Sequence, residues 1–215
     1  MTRIVFILAL CLSCLCAHAQ FSRDVAYNQI LKLQSEGIDT IVTYAGVVPM
    51  YGWIEQSNQL GKIVVQQYTF VFYQAKGKGY VIRFMTYTDY VGIPGRQAIS
   101  KPMLVDAELM LKWAADNFYK IREQPICSHI ITEKPDSINT VYDIYYPSHT
   151  EGINLRVIIG KEQVGQDFVF EDCQHNYTDS GPENLNYSYN VRTYTYRLYS
   201  ILKAITQSVQ NDLKY

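Results

Sequence analysis

The chain has 215 residues, a formal net charge of −1 and no concentration of basic residues, with Lys76-Gly-Lys78 the densest basic pair. This balance provides no electrostatic footprint for nucleic acid or an anionic membrane surface, and a hydrophobic content of 48% excludes a disordered chain. Tyrosine is the compositional anomaly, with 19 residues, many in alternating runs that suit a half-buried pleated surface.

Residues 1–19 read as a cleavable secretory signal. Arg3 is the positive start, residues 4–16 are apolar, and Ala17-His18-Ala19 places small residues at −3 and −1, so cleavage is expected before Gln20. The apolar run is shorter than the roughly 20 residues a bilayer-spanning helix needs, and no later segment reaches that length, so no membrane span is expected. Cys11, Cys14 and Cys16 raise lipidation, but neither Cys11-Leu12-Ser13 before Cys14 nor Ser13-Cys14-Leu15 before Cys16 matches the usual lipobox. The remaining 196 residues, 20–215, carry a net charge of −2 and suffice for one domain.

Ser22 caps an expected first helix ending near Glu36, with Ala26, Ile30 and Leu33 on one face and Gly37 as terminator. A strand follows over 38–46, then a loop over 47–61. Within that loop, Pro49-Met-Tyr-Gly-Trp-Ile54 clusters large apolar side chains, which either fold back to cover the edge of the core, as loop aromatics usually do, or form an aromatic binding surface with Tyr51 and Trp53 as its candidate ligand contacts. Residues 62–74 and 80–88 form the clearest hairpin, with Lys76-Gly-Lys-Gly79 as its turn. A helix is predicted from Ser100 and Pro102 to Pro125, with Leu104, Ala107, Leu111, Ala114, Phe118 and Ile121 in one apolar stripe. Four strands are expected at 126–132, 139–146, 153–159 and 167–172. A polar loop over 176–186 leads through the tyrosine-rich run Tyr187-Ser-Tyr189 to a last helix over 191–213. The order α-βββ-α-ββββ-α predicts an α+β fold, a mainly antiparallel sheet of about seven strands covered by three helices. Its two helix-then-strands blocks hint at duplication, which no residue-level repeat supports.

Two cysteines remain after residue 19, in Cys127-Ser-His129 and Cys173-Gln-His175. If those segments are strands, residues two apart share a face and the four side chains make a zinc set, although structural zinc sites space their cysteine pairs by two to four residues. Free buried thiols are the second alternative. An oxidising compartment favours a Cys127–Cys173 disulfide, the expected arrangement. Cys127 with His129, or dispersed carboxylates, would serve a hydrolase. Ser200-Ile-Leu-Lys203 matches a Ser-x-x-Lys pattern but falls inside the last helix without its companion motifs. No catalytic, cofactor or metal motif emerges. Asn176-Tyr-Thr178 and Asn186-Tyr-Ser188 are glycosylation sequons, relevant only in a eukaryotic secretory route.

The signal ending in Ala-Gln and the stretch Glu36-Gly-Ile-Asp-Thr-Ile41, leading to a tyrosine-rich hairpin such as Tyr68–Tyr87, resemble small exported bacterial proteins of unknown function. The resemblance covers the first third of the mature chain and implies an exported location, periplasmic or secreted. The expected function is non-catalytic binding of a glycan, peptide or protein partner, with the hydrolase as the alternative.

Overall fold

The structure is a computed structural model, and it describes residues 25–50, 64–88, 97–132, 142–144, 152–176 and 183–211. Helix α1 (residues 25–35) ends where the sequence expects. Gly37 adopts φ 83°, its N–H reaching Gln34 O and that of Ile38 reaching Leu33 O, which together satisfy the last carbonyls of the helix.

Strand β1 (Thr40–Met50) is the middle of a seven-stranded antiparallel sheet. On one side it pairs with β2 (Val64–Ala75), which returns as β3 (Lys78–Thr88) through a two-residue turn. Lys76 and Gly77 both have positive φ, 52° and 74°, the twist that suits a tight hairpin. On its other side β1 pairs with β8 (Gly152–Ile159), itself paired with β9 (Glu162–Val169). With β4 (Gln97–Ile99) at the far edge, the sheet order is β4-β3-β2-β1-β8-β9, and β5 (Met103–Leu104) also lies on β3.

Strands β4 (Gln97–Ile99) and β5 (Met103–Leu104) lie end to end along β3. Between Phe84↔Ile99 and Val81↔Met103, β3 has two residues and the opposing chain three, a bulge occupied by Ser100, Lys101 and Pro102. Arg83 N donates to Ser100 Oγ there and Ser100 N to Arg83 O. Two short strands broken by a lysine and a proline protect this edge against pairing with another chain.

The predicted 102–125 helix is corrected here. It starts only at α2 (Glu108–Asp116) and breaks at Asn117 before α3 (Phe118–Glu123). Gly79 explains the late start: its carbonyl accepts from Val105 N, its N–H donates to the Glu108 carboxylate, and a Cβ would lie 2.7 Å from Val105 O. The Glu108 carboxyl titrates below the ordinary range because its own backbone N–H and that of Gly79 donate to it. Leu104 fits the helical stripe in sequence but is an exposed β5 residue, whereas Ala107, Leu111, Ala114, Phe118 and Ile121 are all buried.

Alternation along the strands divides two cores. Val42, Tyr44, Phe70, Phe72, Val81, Leu155, Val157, Val164 and Phe168 face α2, α3 and α5 (Tyr194–Asn211), the last helix, which buries Leu198, Tyr199, Leu202 and Val209. Ile41, Val71, Tyr73, Ile82, Phe84 and Ile158 face α1 through Ala26 and Leu33. The fold is thus α+β as read from the sequence, with helices on both faces of the sheet. Tyr44, Tyr68, Phe70 and Tyr199 form a continuous aromatic cluster, with Tyr44 and Tyr68 hydroxyls 3.2 Å apart.

The second block of strands does not repeat the first. Strands β6 (Ile130–Thr132) and β7 (Tyr142–Ile144) make a separate two-stranded sheet, while β8 and β9 complete the sheet begun by β1. The strand expected at 167–172 instead begins at Glu162, directly after the Gly160–Lys161 turn, and gives way to a 3-10 turn at Phe170–Cys173. A short helix, α4 (Tyr187–Asn190), precedes α5. Among the described residues no helix is long and apolar enough to cross a membrane. The expected signal peptide, residues 1–19, lies outside the described residues.

Candidate functional site

Tyr51 and Trp53 lie outside the described residues. Cys127 and Cys173 are both described, and both are free thiols, so the expected Cys127–Cys173 disulfide is not seen among the described residues. Cys173 closes the 3-10 turn and is buried in the larger core, whereas Cys127 is half-buried with its Sγ 4.0 Å from Pro125 O. Burial, reinforced by the neighbouring Asp172 charge and opposed by Lys203, pushes the Cys173 thiol up to about 12. Such a thiol stays protonated at neutral pH and is no nucleophile.

The arrangement expected of Cys127 and His129 is also absent, because residues 125–129 precede β6 and are not strand. His129 is fully buried, so the two side chains do not share one exposed face. His175 is exposed, 3.3 Å from Glu183 and edge-on to Tyr187. The four Cys and His side chains do not gather: among the described residues no three His, Cys, Asp or Glu groups are placed to hold a metal ion. Ser200 Oγ donates to Tyr196 O within α5, and Lys203 Nζ lies 4.1 Å from the Phe170 ring centre and 3.2 Å from Tyr199 Oη.

What joins the two cysteine segments is an amide, Asn190, which is wholly buried. Its Oδ1 accepts from Cys127 N at 2.9 Å, and its Nδ2 donates to Cys127 O at 2.8 Å and to Asp172 O at 2.6 Å. The side chain thereby offers Cys127 the same donor and acceptor that a neighbouring strand would. Asn184, also buried, donates to Asp172 O and Gln174 O, and its Oδ1 accepts from Asn186 N. Asp172 accepts from His129 N through one carboxylate oxygen and from Val169 N through the other. Burial raises its pKa, and those two N–H donors, with the His129 charge, partly oppose the shift.

A second layer of polar side chains secures the preceding segment. Gln166 Oε1 accepts from Ile126 N while its Nε2 donates to Ile121 O and Gln124 O, and Thr195 Oγ1 donates to the same two carbonyls. Gln124 Oε1 in turn accepts from Tyr194 N. In this cluster the amides and the Asp172 carboxylate are spent on backbone groups, which is what buried polar groups require and what fixes residues 121–129, 169–174 and 184–196 against one another.

That fixed corner supports an open cleft of about 400 Å³, lined by Gln124, Ser188, Tyr189, Arg192 and Thr193. Its volume lies at the lower end of the roughly 300–1,000 Å³ range of small-ligand sites. Two of the lining residues are held by hydrogen bonds: Thr193 Oγ1 donates to Asn190 O and accepts from Tyr196 N, and Gln124 Oε1 accepts from Tyr194 N. Ser188, Tyr189 and Arg192 are exposed, with Tyr189 44% accessible. Among the described residues no carboxylate lies within ion-pair distance of Arg192. Beside this corner, Tyr194 stacks on Trp113 at 5.8 Å, and Lys120 lies over its ring at 4.9 Å. The tyrosine-rich run before the last helix was the signal that could have found this site. Comparison with family models, with curated proteins and with solved structures finds no match to this chain.

Proposed function

We propose that the protein is an exported, non-catalytic binding module that holds a small ligand, or one unit of a larger one, in the cleft at the α4–α5 corner. The observation that carries this reading is the pairing of Gln124 and Thr193, already held by hydrogen bonds to neighbouring backbone, with an exposed aromatic ring, Tyr189, and a guanidinium, Arg192, that no carboxylate among the described residues opposes. Preorganised polar groups and a rigid amphipathic aromatic are what a binding site needs, because little ordering remains to be done when the ligand arrives. A hydrolase built on Cys127 and His129 draws no comparable support, since His129 is buried. Tyr51 and Trp53 remain proposed contacts on their sequence pattern, as does the start of the mature chain at Gln20.

The test is a glycan and peptide binding screen of the exported chain beside Tyr189→Ala and Trp53→Ala. An aromatic anchor that its ligand buries carries about 2 kcal/mol or more, so Tyr189→Ala should weaken binding by roughly thirtyfold with little change in melting temperature. Trp53→Ala should do the same if its ring is a contact. A ligand whose binding neither substitution alters, or turnover of the ligand by the wild-type chain, would refute the reading.

A further inference from the structure

We infer that the ligand of this cleft is a carboxylate-bearing saccharide, an inference that rests on the binding-module reading above. The five lining residues contribute one positive charge, from Arg192, and no negative one. A guanidinium presents a planar fork of donors that matches a carboxylate in a bidentate way, and among the described residues nothing else takes that role at Arg192.

The rest of the lining suits a sugar ring. The exposed Tyr189 ring offers an apolar plane to the flat C–H face of a pyranose. Ser188 supplies a hydroxyl that both donates and accepts, and Gln124, whose Oε1 is taken by Tyr194 N, has its amide NH2 to offer a ring hydroxyl. An open cleft also admits an internal unit of a polymer, which a closed pocket would not.

A peptide fits the same corner less well. Extended peptides are held mainly by main-chain hydrogen bonds to a sheet edge, and this corner is helical, with three successive N–H groups already engaged. Val191 N donates to Tyr187 O, Arg192 N to Tyr189 O and Thr193 N to Asn190 O.

The experiment is calorimetric titration of the whole exported chain with a galacturonate trimer, the matched neutral galactose trimer, and an acetylated dipeptide with a free or amidated C-terminus. The acidic trimer should bind at least tenfold tighter than the neutral one, and that advantage should shrink as salt is raised. Arg192→Gln should abolish the preference, Arg192→Lys should keep part of it, and Tyr189→Ala should weaken both trimers. Because Arg192 is exposed, its variants should melt within about 2 °C of wild type, which a thermal scan confirms alongside. Equal binding of the two trimers, or a preference that survives Arg192→Gln, overturns the inference while leaving the binding module intact if Tyr189→Ala still weakens both. Binding of the dipeptide carboxylate in place of either trimer also overturns it. Absence of any binding here and in the wider screen overturns both readings.

Discussion

Replacing Asn190 by alanine tests the buried amide junction most directly. The substitution removes three hydrogen bonds, two to Cys127 and one to Asp172 O. The Asp172 carbonyl keeps the Asn184 donor and is not orphaned, so the loss falls on the N–H and C=O of Cys127. A buried backbone group left without a partner costs about 1–3 kcal/mol, and Cys127 is only half-buried, so water recovers part of it. The expected net loss is about 3 kcal/mol, which for a chain of this size lowers the melting temperature by about 6–12 °C. Thermal unfolding followed by circular dichroism, with urea titration for the free energy, reads the effect. Asn190→Asp sharpens it: the carboxylate still accepts from Cys127 N but presents oxygen to two carbonyl oxygens, and should be at least as destabilising at neutral pH. A melting temperature for Asn190→Ala within about 2 °C of wild type would show that the junction does not hold these segments together.

Two further outcomes are expected. Alkylation of the native, non-reduced protein should label Cys127 quickly and Cys173 only on unfolding, because Cys173 is buried with its thiol pushed up to about 12; two unreactive sulfurs that appear only after reduction would reinstate the disulfide. Asp172 should make stability depend on pH in the sense opposite to a salt-bridged carboxylate. Its folded pKa is raised above the ordinary value of 3.8, so the native state holds the proton more tightly. Its contribution is fully present below that value and is lost as pH rises through the folded pKa. The stability difference between wild type and Asp172→Asn, measured by urea titration from pH 3.5 upward, should move against wild type as pH rises, and a difference independent of pH would contradict this account.

The sequence carried the sheet better than the site, for reasons that individual residues make plain. The β2–β3 hairpin was legible because alternating aromatic and β-branched residues flank Lys76-Gly77, a pair that accepts positive φ. The apolar stripe from Ala107 to Ile121 correctly named a buried face, yet not the break at Asn117, which lies off that stripe and whose Nδ2 donates to Trp113 O. Leu104 joined the stripe by spacing alone, since nothing local reveals that residues 103–105 are held against β3 and Gly79. Glu162-Gln-Val-Gly-Gln166 has weak strand propensity and became a strand through its partner β8. Asn184, Asn190 and Gln166 read as solvent-facing loop and helix-end residues because a polar side chain that binds distant backbone leaves no periodic mark.

The position of β1 sets an order on assembly. Its pairing with β2 joins neighbours in the chain, whereas its pairing with β8 brings Val47 to Gly152 and Thr40 to Ile159. Closing a loop of on the order of a hundred residues costs roughly 4 kcal/mol of chain entropy before those contacts return anything. A β1-β2-β3 meander can therefore form while the far side of β1 still lacks its neighbour, and the β8–β9 hairpin completes the sheet only after the intervening chain has been made. Until then β1 is itself an edge, and unlike the β4–β5 edge it has no bulge to guard it on the side that β8 will occupy. Whatever shields that strand during synthesis governs how much of the chain reaches the native state and how much associates on the way.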